Sequence, residues 1–142
     1  MYLIGDIGNS ETKICLVNKK NQIIKRINLS TFILSPKNLK KNLQPFNNHF
    51  LELEKILFCS VVPNAFNLIK KFLKTKTKKR CFEVKQLNLL SIIKIEVSYN
   101  QIGSDRITNA IGLAGNKKNF IIMDLGTATT FDILIKNVYK GG

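Results

Sequence analysis

The chain contains 142 residues, of which 44% are hydrophobic and 23% are charged, and its formal net charge is +14. This length suits a domain that buries a real core, and the proportions are ordinary for a soluble globular protein. The longest apolar stretches, such as residues 56–62, are far too short to span a bilayer. The N-terminus also lacks a basic leader, so we expect no signal peptide, no membrane partner and a cytoplasmic location.

Hydrophobic periodicity and breaker residues predict an α/β domain, in which a strand meander is followed by strands that alternate with helices. The predicted strands are 2–7, 13–17, 22–28, 56–62, 81–84, 92–98, 120–124, 129–135 and 138 onward. The predicted helices run from Pro36 to about Leu43, from Asn64 to Lys74, and onward from Ser104, which we expect to act as an N-cap. One face of the third helix carries Ile107, Ala110, Ile111 and Ala114.

The three cysteines are expected to be buried, reduced thiols. Cys15, Cys59 and Cys81 lie in or beside apolar runs and lack the spacing of metal ligands. Their odd number also argues against a disulfide framework in a protein expected to be cytoplasmic.

Two acidic glycine turns carry most of the functional information. They are D-I-G-N-S-E-T-K at residues 6–13 and D-L-G-T-A-T-T at residues 124–130, and each lies between two short apolar runs. Both patterns predict strand, tight turn and strand, with a carboxylate where the first strand ends. Glycine permits close backbone approach to a ligand, and the surrounding amides and hydroxyls suit phosphate oxygens. A carboxylate at the same corner fits if a metal ion lies between it and the phosphates.

The alternative for each turn is purely structural. A single D-x-G sequence is typical of a hairpin turn, where Asp and Gly serve turn geometry alone, and we favour that interpretation for either turn in isolation. The presence of two turns that share an acid, a glycine and hydroxyls favours the phosphate-binding interpretation, in which the turns bind a nucleoside triphosphate from opposite sides. The chain has no G-x-x-x-x-G-K-[ST] and no G-x-G-x-x-G sequence, which would indicate other phosphate-binding folds.

The high net charge raises nucleic-acid binding as an alternative function. Seven cations occur in the eleven residues 70–80, which could form a basic patch. However, Phe66, Ile69 and Leu73 recur at helical spacing, so the cations are expected on the solvated face of an amphipathic helix and in the loop beyond it. Aromatic residues are not interleaved with the cations as a base-stacking platform requires. We therefore favour a solvated surface and no nucleic-acid partner.

A third segment, Y-N-Q-I-G-S-D-R at residues 99–106, lies between the two turns. A capping role explains Ser104, and the positive end of the helix dipole explains Asp105. The dipole gives no reason for Arg106, whose planar fork would suit a substrate carboxylate. Asp105, ionised beside it, could accept a proton from an alcohol.

Four motifs together carry a resemblance to a known family. They are D-I-G-N-S-x-x-K, then S-V-V-P at residues 60–63, then Y-x-x-x-G-S-D-R, then D-L-G-T-A-T-T. In this order they resemble the type III pantothenate kinases, which belong to the superfamily of acetate and sugar kinases, heat-shock chaperone ATPases and actin. The resemblance implies a ribonuclease-H-like, actin-type ATPase domain, an α/β fold with a mixed sheet and flanking helices. It also implies ATP-dependent phosphorylation of pantothenate, the first step of coenzyme A biosynthesis.

The resemblance implies the following site residues. ATP would contact Asp6, Ile7, Gly8, Asn9, Ser10, Glu11, Thr12, Lys13 and Thr127. Pantothenate would contact Tyr99, Gly103, Ser104, Asp105 and Arg106, with Asp105 as the proton acceptor. Asp124 would bind a monovalent cation, K⁺ or NH₄⁺, and Asp6 a divalent cation such as Mg²⁺ through ATP. Ser10 stands where the family more often has Thr, and the hydroxyl is retained.

The resemblance also implies two related domains with the nucleotide between them, and a homodimer. Residues 1–117 are expected to form the N-terminal domain, and residues 118–142 the start of a truncated second domain. The apolar strands at 120–135 are then expected to lack some of their packing partners. The alternatives are an inactive, truncated kinase fragment, or a non-enzymatic basic regulatory protein on the same fold that binds nucleic acid.

Overall fold

The computed structural model describes every residue from Met1 to Gly142. The chain divides into two units, Met1–Val84 and Lys85–Gly142. This division falls earlier in the chain than the boundary expected from the sequence, between residues 117 and 118. That domain boundary therefore stays a prediction about the complete protein.

The first unit is built on a five-stranded mixed sheet. Its strands are β1 (Tyr2–Ile7), β2 (Glu11–Val17), β3 (Ile23–Ser30), β4 (Lys55–Ser60) and β5 (Cys81–Glu83). They lie in the order β3-β2-β1-β4-β5; the first three form an antiparallel meander, while β4 pairs parallel with both β1 and β5. The predicted meander is confirmed. The strand predicted over 56–62 ends earlier, because the Ser60 hydroxyl accepts the amide of Val62 at 3.1 Å and turns the chain.

Two helices and a 3₁₀ segment cover this sheet. Helix α1 (Pro36–Asn42) begins with proline, and the Ser35 hydroxyl accepts the amide of Asn38 at 3.2 Å. A 3₁₀ segment over Gln44–Glu52, which the sequence did not reveal, buries Phe46 and Phe50. Helix α2 (Pro63–Lys74) buries Phe66, Ile69 and Leu73, as their spacing predicted, and it also buries Ala65. The core thus lies between the sheet and this helical layer.

The second unit contains a four-stranded sheet and one helix. Its elements are β6 (Lys94–Ile95), α3 (Ser104–Leu113), β7 (Asn119–Leu125), β8 (Thr129–Ile135) and β9 (Val138–Gly141). The sheet order is β6-β9-β8-β7, and β7, β8 and β9 form an antiparallel meander like that of β1, β2 and β3. The strand predicted over 92–98 is much shorter. The amides of Ile92 and Ile93 bond instead to the carbonyl of Leu89, at 2.9 and 3.0 Å, in a 3₁₀ turn.

Helix α3 begins differently from the prediction. Gly103 is its N-cap, with φ −62° and ψ 145°, and no side chain caps the helix. The predicted capping role of Ser104 is therefore wrong, since Ser104 is the first helical residue and is buried. Ile107 and Ala110 are buried as predicted, whereas Ile111 is half-buried and Ala114 lies just beyond the helix.

One face of the β7–β8 hairpin is apolar and exposed. Across the two strands Ile121 lies opposite Ile133, and Met123 lies opposite Phe131. Ile121 is 77% exposed, and the other three side chains are also exposed. This exposure agrees with the expectation that the apolar strands at 120–135 lack packing partners.

Candidate active site

The first acidic turn, residues 8–10, is tied to the end of β3. The amide of Gly8 donates to the carbonyl of Glu11 at 2.9 Å, which closes the turn. The amide of Thr31 donates to the carbonyl of Ser10 at 2.9 Å, and the Thr31 hydroxyl donates to the carbonyl of Gly8 at 2.8 Å. The hydroxyl groups of Thr12 and Thr31 lie 2.9 Å apart. These bonds fix the backbone of the turn before any ligand binds.

A carboxylate and an ammonium group lie side by side at the base of this turn. Asp6 and Lys13 are directly opposite across β1 and β2, and their Oδ2 and Nζ atoms are 4.0 Å apart. Lys13 Nζ also lies 3.7 Å from a carboxylate oxygen of Glu11. From β4, the Cys59 thiol donates to Asp6 Oδ1 at 3.3 Å. Asp6 and Lys13 remain about half exposed, so both can reach a ligand.

The predicted ATP-binding residues of this turn differ in what they can offer. The side chains of Asn9, Ser10 and Glu11 are exposed. Ile7 and Thr12 are fully buried, at 0% exposure, and the Thr12 hydroxyl contacts Thr31. Any ATP contact of Ile7 and Thr12 is thus restricted to backbone groups. The sequence gave no signal for Thr31, which is 23 residues from Gly8 and meets it only because β3 pairs with β2.

The second acidic turn repeats the arrangement of the first. Residues 126–128 join β7 to β8, and the amide of Gly126 donates to the carbonyl of Ala128 at 3.2 Å. Asp124 is the penultimate residue of β7, as Asp6 is of β1. Its Oδ2 atom accepts the side-chain amide of Asn109 on α3 at 3.0 Å, a partner that the sequence did not indicate. Thr127 is exposed at the tip of the turn.

The segment that leads into α3 is anchored by Lys85. The Tyr99 hydroxyl donates to the carbonyl of Lys85 at 3.1 Å, and the Lys85 ammonium group lies 4.9 Å from the centre of the Tyr99 ring. The same ammonium group donates to the carbonyl of Ile102 at 2.9 Å. These contacts hold the loop that places Gly103 at the start of the helix.

The first turn of α3 brings Asp105 and Arg106 together. Asp105 Oδ1 accepts the amide of Arg106 at 2.8 Å, and Oδ2 has no hydrogen-bond partner in the structure. The Arg106 guanidinium binds Asp132 on β8, with Nε 3.0 Å from both carboxylate oxygens and Nη2 2.6 Å from Oδ1. This hydrogen bonding raises the pKa of Arg106. Asp132 belongs to none of the sequence motifs, and the signal for it is an acid within the apolar run 131–135.

The structure contains no group of three or more His, Cys, Asp or Glu side chains arranged to hold a metal ion. The half-exposed carboxylate of Asp6 nevertheless fits Mg²⁺, which binds through one or two carboxylates and otherwise through phosphate oxygens and water. The structure has no disulfide bond, and Cys59 and Cys81 are buried as predicted, whereas Cys15 is half-buried. Burial raises the pKa of Cys81 to about 12, which makes it unreactive.

The basic cluster lies in the first unit, apart from the acidic turn. Six cations line a cavity of about 660 Å³ there: Lys70, Lys74, Lys76, Lys78, Lys79 and Arg80. Three of the cations pack on rings of the chain itself, with Arg80 4.8 Å from the centre of the Phe82 ring and Lys70 and Lys76 over Phe66 and Phe72. These contacts agree with a solvated surface whose aromatic rings are already covered.

None of the helices is both long and apolar enough to cross a membrane.

Two solved kinase structures resemble this fold. A Sinorhizobium meliloti protein assigned as a 2-dehydro-3-deoxygalactonokinase matches with a TM-score of 0.57 at 10% identity, over 99% of this chain and 52% of that one. The polyphosphate/ATP-glucomannokinase of Arthrobacter sp. strain KM matches with a TM-score of 0.50 at 12% identity, over 99% of this chain and 60% of that one. The predicted α/β fold of the actin-like ATPases is confirmed.

Sequence comparison identifies the family. The type III pantothenate kinase family model matches residues 2–142. The type III pantothenate kinase of Pelagibacter ubique is 57% identical over 142 residues, which cover 100% of this chain and 57% of that protein. The Thermosipho africanus enzyme of the same name is 31% identical over 144 residues, with 100% and 57% coverage. The chain thus spans 57% of the length of these curated relatives. It belongs to the type III pantothenate kinase family.

Proposed function

We propose that the protein to which this chain belongs transfers a phosphoryl group from ATP to pantothenate, the first step of coenzyme A biosynthesis. The family match over residues 2–142 is the observation that carries this proposal. The two acidic turns and the Asp105–Arg106 pair support it, because they supply groups suited to phosphates, to an alcohol proton and to a carboxylate.

The first turn is proposed to hold the ATP phosphates. Its backbone is already fixed by Thr31, so ordering it costs little on binding. Asp6 would hold Mg²⁺, which supplies positive charge beside the phosphates. Lys13 would add a second positive charge near the transferring group. Asn9, Ser10 and Glu11 would contact ATP with exposed side chains, and Ile7, Gly8 and Thr12 through their backbone.

Asp105 is proposed to accept the proton of the pantothenate hydroxyl. Its Oδ1 atom already accepts the amide of Arg106, which leaves Oδ2 free for the substrate. Arg106 is proposed to bind the pantothenate carboxylate, with Tyr99, Gly103 and Ser104 around the same substrate.

Asp124 and Thr127 are proposed to complete the ATP site in the second turn. Asp124 would bind K⁺ or NH₄⁺, since its Oδ1 atom has no partner in the structure while Asn109 holds Oδ2. We also propose that the complete protein is a homodimer. Its proposed compartment is the cytoplasm, where thiols without disulfide bonds, as in this chain, persist.

The acceptor can be identified by measuring ADP release from the complete protein with pantothenate and with a panel of sugars. We expect pantothenate to be phosphorylated, because it has a carboxylate that can pair with the Arg106 guanidinium. Simple sugars have no carboxylate. Sugars are the sharpest competing class, since solved structures with this fold are named as a glucomannokinase and as a sugar kinase. Turnover of a sugar with none of pantothenate would contradict the proposal.

Substitution of each turn carboxylate should change cation dependence more than folding. We expect Asp6→Asn to raise the Mg²⁺ concentration for half-maximal activity about 10-fold or more, as loss of a metal-binding group does. Asp124→Asn should alter the response to K⁺ and NH₄⁺ in the same assay. Thermal stability should change little, because Asn has the size and shape of Asp and neither side chain is buried.

The matched control for these variants is Glu54→Gln. Glu54 is a surface carboxylate of the first unit that pairs with Lys19 at 3.1 Å, and it precedes β4, whose first residue pairs with Tyr2 at the end of β1 opposite the first turn. Its replacement should leave cation dependence unchanged. If Asp6→Asn and Asp124→Asn lose folding in proportion to activity, the carboxylates serve turn structure alone.

A further inference from the structure

Asp132 is the buried carboxylate of the chain, at 1% exposure in the middle of β8. Burial of a carboxylate costs several kcal/mol unless the charge is paired and hydrogen-bonded. Such a group is retained on an apolar strand only where its partners compensate for that cost. The partners of Asp132 are therefore informative about its role.

Two side chains satisfy the Asp132 carboxylate. Arg106 binds both oxygens from α3, with Nε 3.0 Å from each. The Tyr139 hydroxyl on β9 donates to Oδ1. Burial, and then the hydrogen bond to Asp132, raises the pKa of Tyr139, so its proton stays in place at neutral pH. The three residues tie α3 to two strands of the second sheet.

The same geometry leaves part of the guanidinium free. Nε and Nη2 are occupied by Asp132 and by the carbonyl oxygens of Phe131 and Gly142, which lie 3.2 and 3.0 Å from Nη2. Nη1, with two N–H donors, has no partner in the structure. An arginine has five donors in a rigid plane, so fixing one edge also fixes the direction of the donors that remain.

We infer that Asp132 and Tyr139 are positioning residues that hold Arg106 with Nη1 free to donate to the substrate carboxylate. This inference rests on the proposed function, in which Arg106 binds pantothenate. Unpaired, the long Arg106 side chain would lose rotamer freedom each time a substrate bound. Held by Asp132, it loses that freedom on folding, so binding is stronger. Asp132 and Tyr139 themselves need not contact the substrate.

The test compares KM and kcat in the complete protein for Asp132→Asn and Tyr139→Phe. Asp132→Asn removes a charge-assisted bond, so KM for pantothenate should rise at least about 10-fold, while KM for ATP and kcat stay within about 3-fold. Tyr139→Phe should act in the same direction and more weakly, because it removes a hydrogen bond to Asp132 but leaves the ion pair. Leu134→Val is the control, since Leu134 is fully buried on the same strand and its apolar side chain offers Arg106 no charge and no hydrogen bond.

A double-mutant cycle shows whether Asp132 acts through Arg106. Arg106→Met retains most of the apolar stem but removes all donors. In that background Asp132→Asn should produce no further rise in the KM for pantothenate. A full additional rise would mean that Asp132 acts independently, and the inference would be wrong.

Two other outcomes would also overturn it. An equal rise in both KM values, matched by Leu134→Val, would show that Asp132 only maintains the fold. If the unsubstituted protein failed to phosphorylate pantothenate, the proposed function itself would fail and the inference with it. Turnover by the unsubstituted protein with no change in Asp132→Asn would reject the inference alone.

Discussion

Asp105→Asn in the complete protein is expected to lower kcat by about 100-fold or more, the usual contribution of a general base. Asparagine keeps the size of the side chain and an oxygen that can still accept the amide of Arg106, now 2.8 Å from Asp105 Oδ1. It lacks the basic oxygen that would take the substrate proton. Binding of ATP and pantothenate, measured by calorimetry, should therefore stay near that of the unsubstituted protein while turnover falls.

Thr108→Ser is a suitable control for this substitution. Thr108 lies one helical turn from Asp105, and its hydroxyl donates to the carbonyl of Ser104 at 2.7 Å, a bond that serine can keep. Turnover of this variant should be close to normal. Near-normal turnover of Asp105→Asn would instead mean that Asp105 only stabilises the start of α3.

The second large effect is expected from Gly5→Ala in β1. An added Cβ would lie 2.1 Å from Cε1 and 2.4 Å from Cδ1 of Phe58, its partner on β4. Phe58 is fully buried and packs on Phe66, with ring centres 6.3 Å apart, so it has little room to move. We expect the free energy of unfolding to fall by about 3 kcal/mol, at the upper end of the usual range for an overpacked core. Urea unfolding followed by circular dichroism measures this change.

A second substitution tests the cause of the loss. Phe58→Leu removes the ring atoms that the new methyl group would meet, so Gly5→Ala should cost much less in that background than alone. Hydrogen exchange of the β1 amides assigns the effect to the first unit. If Gly5→Ala costs the same in both backgrounds, contact with Phe58 is not the cause.

Gly112→Ala makes the same chemical change at a position where the structure predicts an increase in stability instead of a loss. Gly112 is an exposed residue of α3, and an added Cβ would meet nothing within 4 Å. Alanine favours the helix by up to about 1 kcal/mol over glycine, so the protein should be slightly stabilised. A loss of stability at both glycines would indicate a general effect of the substitution rather than packing at Gly5.

The sequence by itself determined the elements that depend on neighbouring residues. A short apolar run followed by a turn signal predicted β1, and proline and helical spacing predicted α1 and α2. These signals work because a strand or helix face is formed by residues close in the chain. The ordered motifs at 6–13, 60–63, 99–106 and 124–130 were sufficient for the family resemblance, since each motif is itself a local segment.

Only the tertiary structure decided which side chains meet at the candidate site. Thr31 reaches Gly8, Asn109 reaches Asp124 and Asp132 reaches Arg106 across 23, 15 and 26 residues. Each meeting depends on strand order, pairing register and the packing of α3 on its sheet, and a shift of one residue would turn these strand side chains to the other face. Periodicity specifies which residues share a face, but not which face of another element they will meet. The sequence therefore did not indicate the ion-pair partner of Arg106, which is Asp132 on β8.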